Sequence, residues 1–285
     1  MTHPDPVIIR RYSPEPLLSH PLRMLGDMLR DLGNSRELAW RLFIRDMSAQ
    51  YRQSYLGYVW AFLPPLLSSL TFVFLNSQGL FSTGKTAVPY AAFAMIGTIL
   101  WQVFVDSLNA PVNALLQAKS MLAKINFPRE SILLSAILMV IFNFLIRLLL
   151  LAGILIHYRI GLSSSVTFFP VTVAALIAAG MALGLAVAPL GALYGDVAKS
   201  LPIVTSFWML LTPVVYPAKS SGLAGWLATW NPVSPLIITA SETLTGLPLA
   251  HLGIFSTILL GSLAMILFGW ICFRIAMPHL IARMG

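Results

Sequence analysis

Two hydrophobic patterns follow one another along the chain. Up to about residue 53 apolar residues recur at helical spacing among charges; beyond it they merge into long blocks. In "PLRMLGDMLRDL" (21–32), a step of about 100° per residue puts Leu22, Leu25, Met28, Leu29 and Leu32 on one side. Arg23, Asp27, Arg30 and Asp31 take the other side. "NSRELAWRLFIRDMSAQYRQ" (34–53) predicts a second amphipathic helix, opened by Asn34 and Glu37 in the manner of a capping box. Trp40, Phe43, Ile44, Met47 and Tyr51 share its apolar face, with Arg41, Arg45 and Arg52 opposite. A helix that is aromatic on one side and basic on the other lies flat in a headgroup layer. Packing against protein is the other reading, and Leu38 and Leu42 on the polar side fit both at once.

The blocks predict six membrane-spanning helices, at about 55–77, 90–114, 131–156, 167–193, 201–216 and 252–273. Pro64-Pro65 predicts a kink in the first. The fifth is short: the 16 residues between Ser200 and Pro217 reach about 24 Å of a roughly 30 Å hydrocarbon core. Between the fifth and sixth, 222–230 and 233–249 are apolar but interrupted by Pro232, Pro235, Gly246 and Pro248. They predict re-entrant helices, which are tolerated where protein or a water-filled path covers the backbone.

Composition agrees. Of the 285 residues, 58% are hydrophobic and only 10% charged, against about 25% in a soluble domain. The fold class is therefore an all-α integral membrane protein. Residues 1–33 form an N-terminal tail with a short amphipathic helix, 34–53 an interface helix, 54–276 the six-span domain and 277–285 a C-terminal tail. The tail's start is polar and proline-rich, unlike a cleaved signal peptide. The net charge of +8 does not indicate nucleic-acid binding, since no folded basic domain carries it. With both termini inside, 14 basic residues fall on the cytoplasmic side and three (Lys85, Arg159, Lys219) outside, the asymmetry of a multi-pass plasma-membrane protein. Cys272 is the one cysteine, which excludes an intrachain disulfide and a cysteine metal site.

"GLFSTGKT" (79–86) fits the phosphate-loop pattern, but its context fails. A true phosphate loop follows a buried strand and opens a helix. This one follows an apolar span, faces outside and meets Pro89 four residues after Lys85. No catalytic or metal-binding motif is present, so the chain is not expected to be an enzyme or to bind a cofactor or metal itself.

Polar groups inside spans point to function. Gln102, Asp106, Asn109 and Asn113 form one stripe on the second span. It is either a wall of a translocation path or an interhelical hydrogen-bond seam. Arg147 sits in the third span. Counting from the nominal span ends puts Asp106 and Arg147 about 18 Å apart in depth, too far to pair. Arg147 is then expected to reach the outer headgroups or a substrate. Internal repeats and paired intramembrane carboxylates, the marks of an ion-coupled transporter, are missing, which favours an outside energy source.

Four stretches together resemble the transmembrane subunit of type-2 ABC exporters of the polysaccharide and polyol-phosphate export family. They are "RDMSAQYRQSYLGYVWAFLPPLL" (45–67), "KSMLAKINFPRE" (119–130), "LYGDVAKSLPIVTSFWMLLTPVVYP" (193–217) and "NPVSPL" (231–236). The resemblance implies a homodimer that pairs with two copies of a separate ATPase subunit, where ATP and Mg bind. It implies a lipid-linked polysaccharide as cargo, of O-antigen or capsule type; a small lipophilic molecule or drug is the alternative. The interface helix (Trp40, Arg41, Phe43, Arg45, Met47, Tyr51) would lie near the ATPase. Lys119, Lys124, Phe127, Pro128, Arg129 and Glu130 of the 117–130 loop, with Asp196, would couple to it. The re-entrant region, with Trp226, Trp230, Pro232 and Glu242, would gate the outer mouth. Tyr194-Gly195-Asp196 stands where the family often has aromatic-Arg-Asp, and Glu242-Thr243 where it usually has an Arg.

Overall fold

The computed structural model describes residues 21–52, 55, 57, 59–79, 86–122, 127–161, 163–217, 225, 226, 228 and 230–284. Among them the regular elements are all helical. They are α1 (Pro21–Asn34), α2 (Arg36–Arg52), α3 (Val59–Ser77), α4 (Tyr90–Leu122), α5 (Glu130–His157), a 3-10 turn (Ser164–Phe168), α6 (Phe169–Leu193), α7 (Gly195–Leu211), α8 (Val233–Thr245) and α9 (Leu252–Met284).

Four of the described helices are long and apolar enough to cross a membrane: over Tyr90–Lys119, Glu130–His157, Ser164–Leu193 and Leu252–Pro278. The apolar part of α3, Phe62–Ser77, is shorter, and α7 has 17 residues. Three helices overrun the expected ends. α4 continues from 114 to Leu122, α7 begins at Gly195 rather than 201, and α9 continues from 273 to Met284. Hydropathy marks where a helix leaves hydrocarbon; its hydrogen bonds go on while the sequence favours them. "NALLQAKSML" (113–122) is rich in strong helix formers, so α4 extends to 33 residues, about 50 Å.

α4 and α6 form the centre. The chain itself buries 67% of each of their spans, but 22% of α5 and 11% of α9. Small residues let the central pair approach. A Cβ on Gly180 would lie 2.6 Å from the Phe104 carbonyl oxygen and from Ser107 Cβ. One on Gly184 would meet the Leu108 carbonyl and the Pro111 ring, and one on Gly191 would lie 2.7 Å from Val112 Cγ1. "GMALG" (180–184) is thus a small-xxx-small seam. At the far end of α4, Gly97 lies against the backbone of Val214, just past α7. Trp208 of α7 packs edge-on to Trp101 and Phe104 of α4, with ring centres 6.2 and 5.3 Å away.

α2 packs on α5, and its contact stripe is rotated from the expected one. Ala39, Leu42 and Phe43 are buried, as is Ser35 in the turn before α2, whereas Trp40 and Ile44 are exposed. Phe43 meets Phe142 of α5 edge-on at 5.8 Å. Leu42, on the polar side of the helical wheel, is therefore core, because α5 rather than lipid covers that flank. Arg41 pairs with Glu37 in the open, and Arg45 with Asp46.

Candidate functional site

Three polar groupings stand out, and each ties distant segments together. The first lies at the middle residue of α4. Arg147 of α5 donates from Nη1 to Asp106 Oδ2 at 2.5 Å, and Gln102 donates from Nε2 to Asp106 Oδ1 at 3.0 Å. This overturns the expectation that Asp106 and Arg147 lie too far apart. The depth count measured Asp106 from the outer end of its span and Arg147 from the inner end of the next, taking each span to fill one core of about 30 Å. Because α4 runs to Leu122 and α5 starts at Glu130, the two residues stand 16 and 17 residues from the same closed end of the hairpin. Arg147 is buried at 5% exposure, so it does not extend to a headgroup layer. The pair makes the stripe a hydrogen-bonded seam at Asp106. Farther along, Asn109 donates to the carbonyl of Val105 in its own helix. Asn113 is exposed. The stripe thus runs from the α4–α5 contact onto an open face of the chain.

The second grouping lies at the base of α5. Arg274 of α9 donates from Nη1 to Glu130 Oε1 and from Nη2 to Asp31 Oδ2 of α1, each at 2.8 Å. Glu130, grouped from the sequence with coupling residues, turns inward and is 5% exposed. Phe127, Pro128 and Arg129 are half-buried, and Lys119 and Asp196 are exposed. Lys119 sits on the overrun of α4 and Asp196 in the first turn of α7, so neither lies in a loop. Arg45 of α2 donates to Met121 Sδ at 3.8 Å, which places α2 beside this end of α4.

The third grouping centres on Asn231, 8% exposed. Its Oδ1 accepts from Val233 N at 3.0 Å and from Trp208 Nε1 at 3.2 Å, and its Nδ2 donates to Thr212 Oγ1 at 2.7 Å. One amide therefore caps the start of α8 and fastens it to the end of α7. That is the physical role of the "NP" in "NPVSPL". Replacing Asn231 with Ala strands buried donors, so a loss of about 1–3 kcal/mol is expected. Thermal unfolding in detergent measures it; a melting temperature equal to wild type would disprove the hub.

Around this hub Trp226 and Trp230 are exposed, with rings 6.2 Å apart. Pro232 precedes the first turn of α8. Glu242 is bonded locally rather than simply solvated: Ala250 N donates to its Oε2 at 3.3 Å, closing the turn that follows Gly246 (φ 72°). Burial pushes the Glu242 carboxyl above its usual range, while the Ala250 N–H and His251 pull it back.

Several expected features lie outside the described residues: Lys124, the Tyr51 side chain, most of 218–229, and 80–85 within the phosphate-loop match. The segment entering that match is helix α3, where a phosphate loop needs a strand. Among the described residues no group of three or more His, Cys, Asp or Glu lies close enough to hold a metal ion.

Sequence reasoning missed Arg274, Asn231 and the two α6 glycines as keystones. It counted Arg274 only as a positive charge. The small-xxx-small spacing of Gly180 and Gly184 was the available signal for the glycines.

Comparison with known proteins bears on the whole arrangement. The profile of the ABC-2 type transporter family matches residues 37–244. The O-antigen export system permease protein RfbA of Myxococcus xanthus is 27% identical over 194 residues, covering 68% of this chain and 73% of the relative. A Klebsiella pneumoniae protein of the same name is 23% identical over 207 residues, covering 70% and 76%. A second from that organism is 23% identical over 204 residues, covering 68% and 75%. The matched region runs from α2 through α8 and contains all of the α4–α6 centre. This multi-pass helical chain belongs to the ABC-2 type transporter family.

Proposed function

We propose that the chain is the membrane-spanning subunit of an ATP-driven exporter, which carries a lipid-linked polysaccharide of the O-antigen type across the bacterial inner membrane. The observation that carries this reading is the likeness, over more than two thirds of each chain, to permeases named for O-antigen export. Two copies form the path. Two copies of a separate ABC ATPase hold ATP and Mg and drive it.

In this reading α3, α4, α5, α6, α7 and α9 all cross, with both termini cytoplasmic, and α8 enters and leaves through the outer leaflet. The charge asymmetry along the sequence supports that orientation. Gln102, Asp106, Asn109 and Asn113 offer hydroxyl-bearing cargo a row of hydrogen-bonding groups, and the exposure of Asn113, where the stripe leaves the α4–α5 contact, supports this. The loop between α4 and α5, with Lys119 and Asp196 exposed nearby, receives the ATPase. Trp226, Trp230 and the Asn231-anchored α8 form the outer gate.

Depletion of the protein from its cells tests the reading. Glycan linked to its lipid carrier is expected to collect on the cytoplasmic leaflet while surface glycan falls. Normal surface glycan without accumulation would overturn polysaccharide export and leave a small lipophilic cargo as the reading to pursue.

A further inference from the structure

The Asp31–Arg274–Glu130 grouping joins three parts of the chain that are remote in sequence and meet at one place. One guanidinium serves two carboxylates from separate nitrogens, each at 2.8 Å. Side-chain exposure is 18% for Arg274, 15% for Asp31 and 7% for Glu130. The fork of an arginine suits this divided geometry; a lysine ammonium is a single point charge and holds two acids in a less defined way. Glu130 is the first residue of α5, directly after the segment that joins α4 to α5. Asp31 lies near the end of α1, and Arg274 lies where α9 begins its overrun.

We propose that Arg274 is a positioning residue that makes the base of α5, helix α1 and the end of α9 one mechanical unit, so that motion delivered at the α4–α5 loop reaches all three. The inference rests on the export reading above and adds the means by which the partner ATPase is coupled to it. Without the guanidinium, the two ion pairs that tie α1 and α9 to the base of α5 are lost, and the base of α5 is free to move alone. ATP binding and hydrolysis belong to the partner, so they continue. What is lost is transport per ATP.

The test uses the chain with its ATPase in proteoliposomes. The probe is polyprenyl-diphosphate-linked glycan extracted from cells lacking the exporter. Hydrolysis and glycan transfer are measured together. If the wild-type complex moves no glycan, the export reading fails and the inference falls with it. With an active wild type, Arg274→Gln is expected to move about five-fold less glycan per ATP at near-normal hydrolysis, the size of effect typical of coupling positions. Arg274→Lys should fall between the two. Should Arg274→Gln yield no complex, Glu130→Gln decides, since it removes the charge and keeps an acceptor. A brace without a coupling role lowers yield and melting temperature but leaves the transport-to-hydrolysis ratio unchanged. That ratio, unchanged in the recovered variants, overturns the proposal.

Discussion

Replacing Gly184 with valine is expected to separate the two central helices and prevent recovery of folded protein. The new Cβ would be driven into the Leu108 carbonyl and lie 3.0 Å from two carbons of the Pro111 ring. Neither a helix backbone nor a proline ring has a rotamer with which to yield. Overpacking a core usually costs about 1–3 kcal/mol. Here the obstruction is backbone at the central α4–α6 contact, so the loss should reach or exceed the top of that range. Gly180→Val should behave alike, because its Cβ would lie 2.6 Å from the Phe104 carbonyl oxygen. Gly153 is the control: it lies on an exposed part of α5 with nothing within 4 Å of an added Cβ. Gly153→Ala should be neutral or gain up to about 1 kcal/mol from helix propensity. Size-exclusion profiles and melting temperatures of the three variants in one detergent measure the contrast. A monodisperse Gly184→Val protein with a wild-type melting temperature would refute the close α4–α6 seam.

The second large effect is expected at the pair in the middle of α4. Arg147→Ala leaves the largely buried Asp106 carboxylate without its guanidinium. Breaking one side of such a pair costs about 3–5 kcal/mol. Asp106→Ala removes the carboxylate that Arg147 pairs with and should also weaken the α4–α5 contact. Replacing both at once, as Asp106→Leu with Arg147→Met, removes the mismatch, and double apolar replacements of buried pairs are often neutral. The single variants should therefore be depleted from membranes and the double variant restored, with a coupling of at least about 1 kcal/mol in a double-mutant cycle. Additive losses would show that the two residues act independently. The double variant also separates folding from transport: if it folds and exports poorly, the stripe serves the cargo; if it exports normally, Asp106 serves only to join α4 to α5.

How far the sequence leads is clear from these two sites. The apolar blocks revealed the long helices because a run of hydrocarbon side chains has few other destinations. They did not reveal where α4 ends, because a helix passes from lipid into water without breaking. The eight residues beyond 114 carry the closed end of the α4–α5 hairpin about 12 Å farther from Asp106 than the apolar block suggests, which brings Asp106 level with Arg147. Rotation about the helix axis was equally hidden. The α2 wheel shows which residues are alike, and only the position of α5 decides that Leu42 is inside and Trp40 outside. Arg274 and Asn231 were hidden for a different reason. Each works by joining partners roughly 20 to 240 positions away, and no local pattern records such a meeting. The family resemblance did mark the segment containing Asn231, but the bonds that explain it appear only once α7 and α8 are side by side.

The contact between Arg274 and Asp31 also restricts the route of the chain. Two side chains that touch at a membrane boundary are on one side of it, so the number of crossings between residues 31 and 274 is even. Among the described residues four helices are long and apolar enough to cross, an even number. With all four crossing, as the export reading has it, the two shorter ones, α3 and α7, are bound as a pair: either both traverse the bilayer or neither does. A reporter that moves one of them to the opposite compartment must move the other as well. Labels attached before α1 and after α9 should always report the same face.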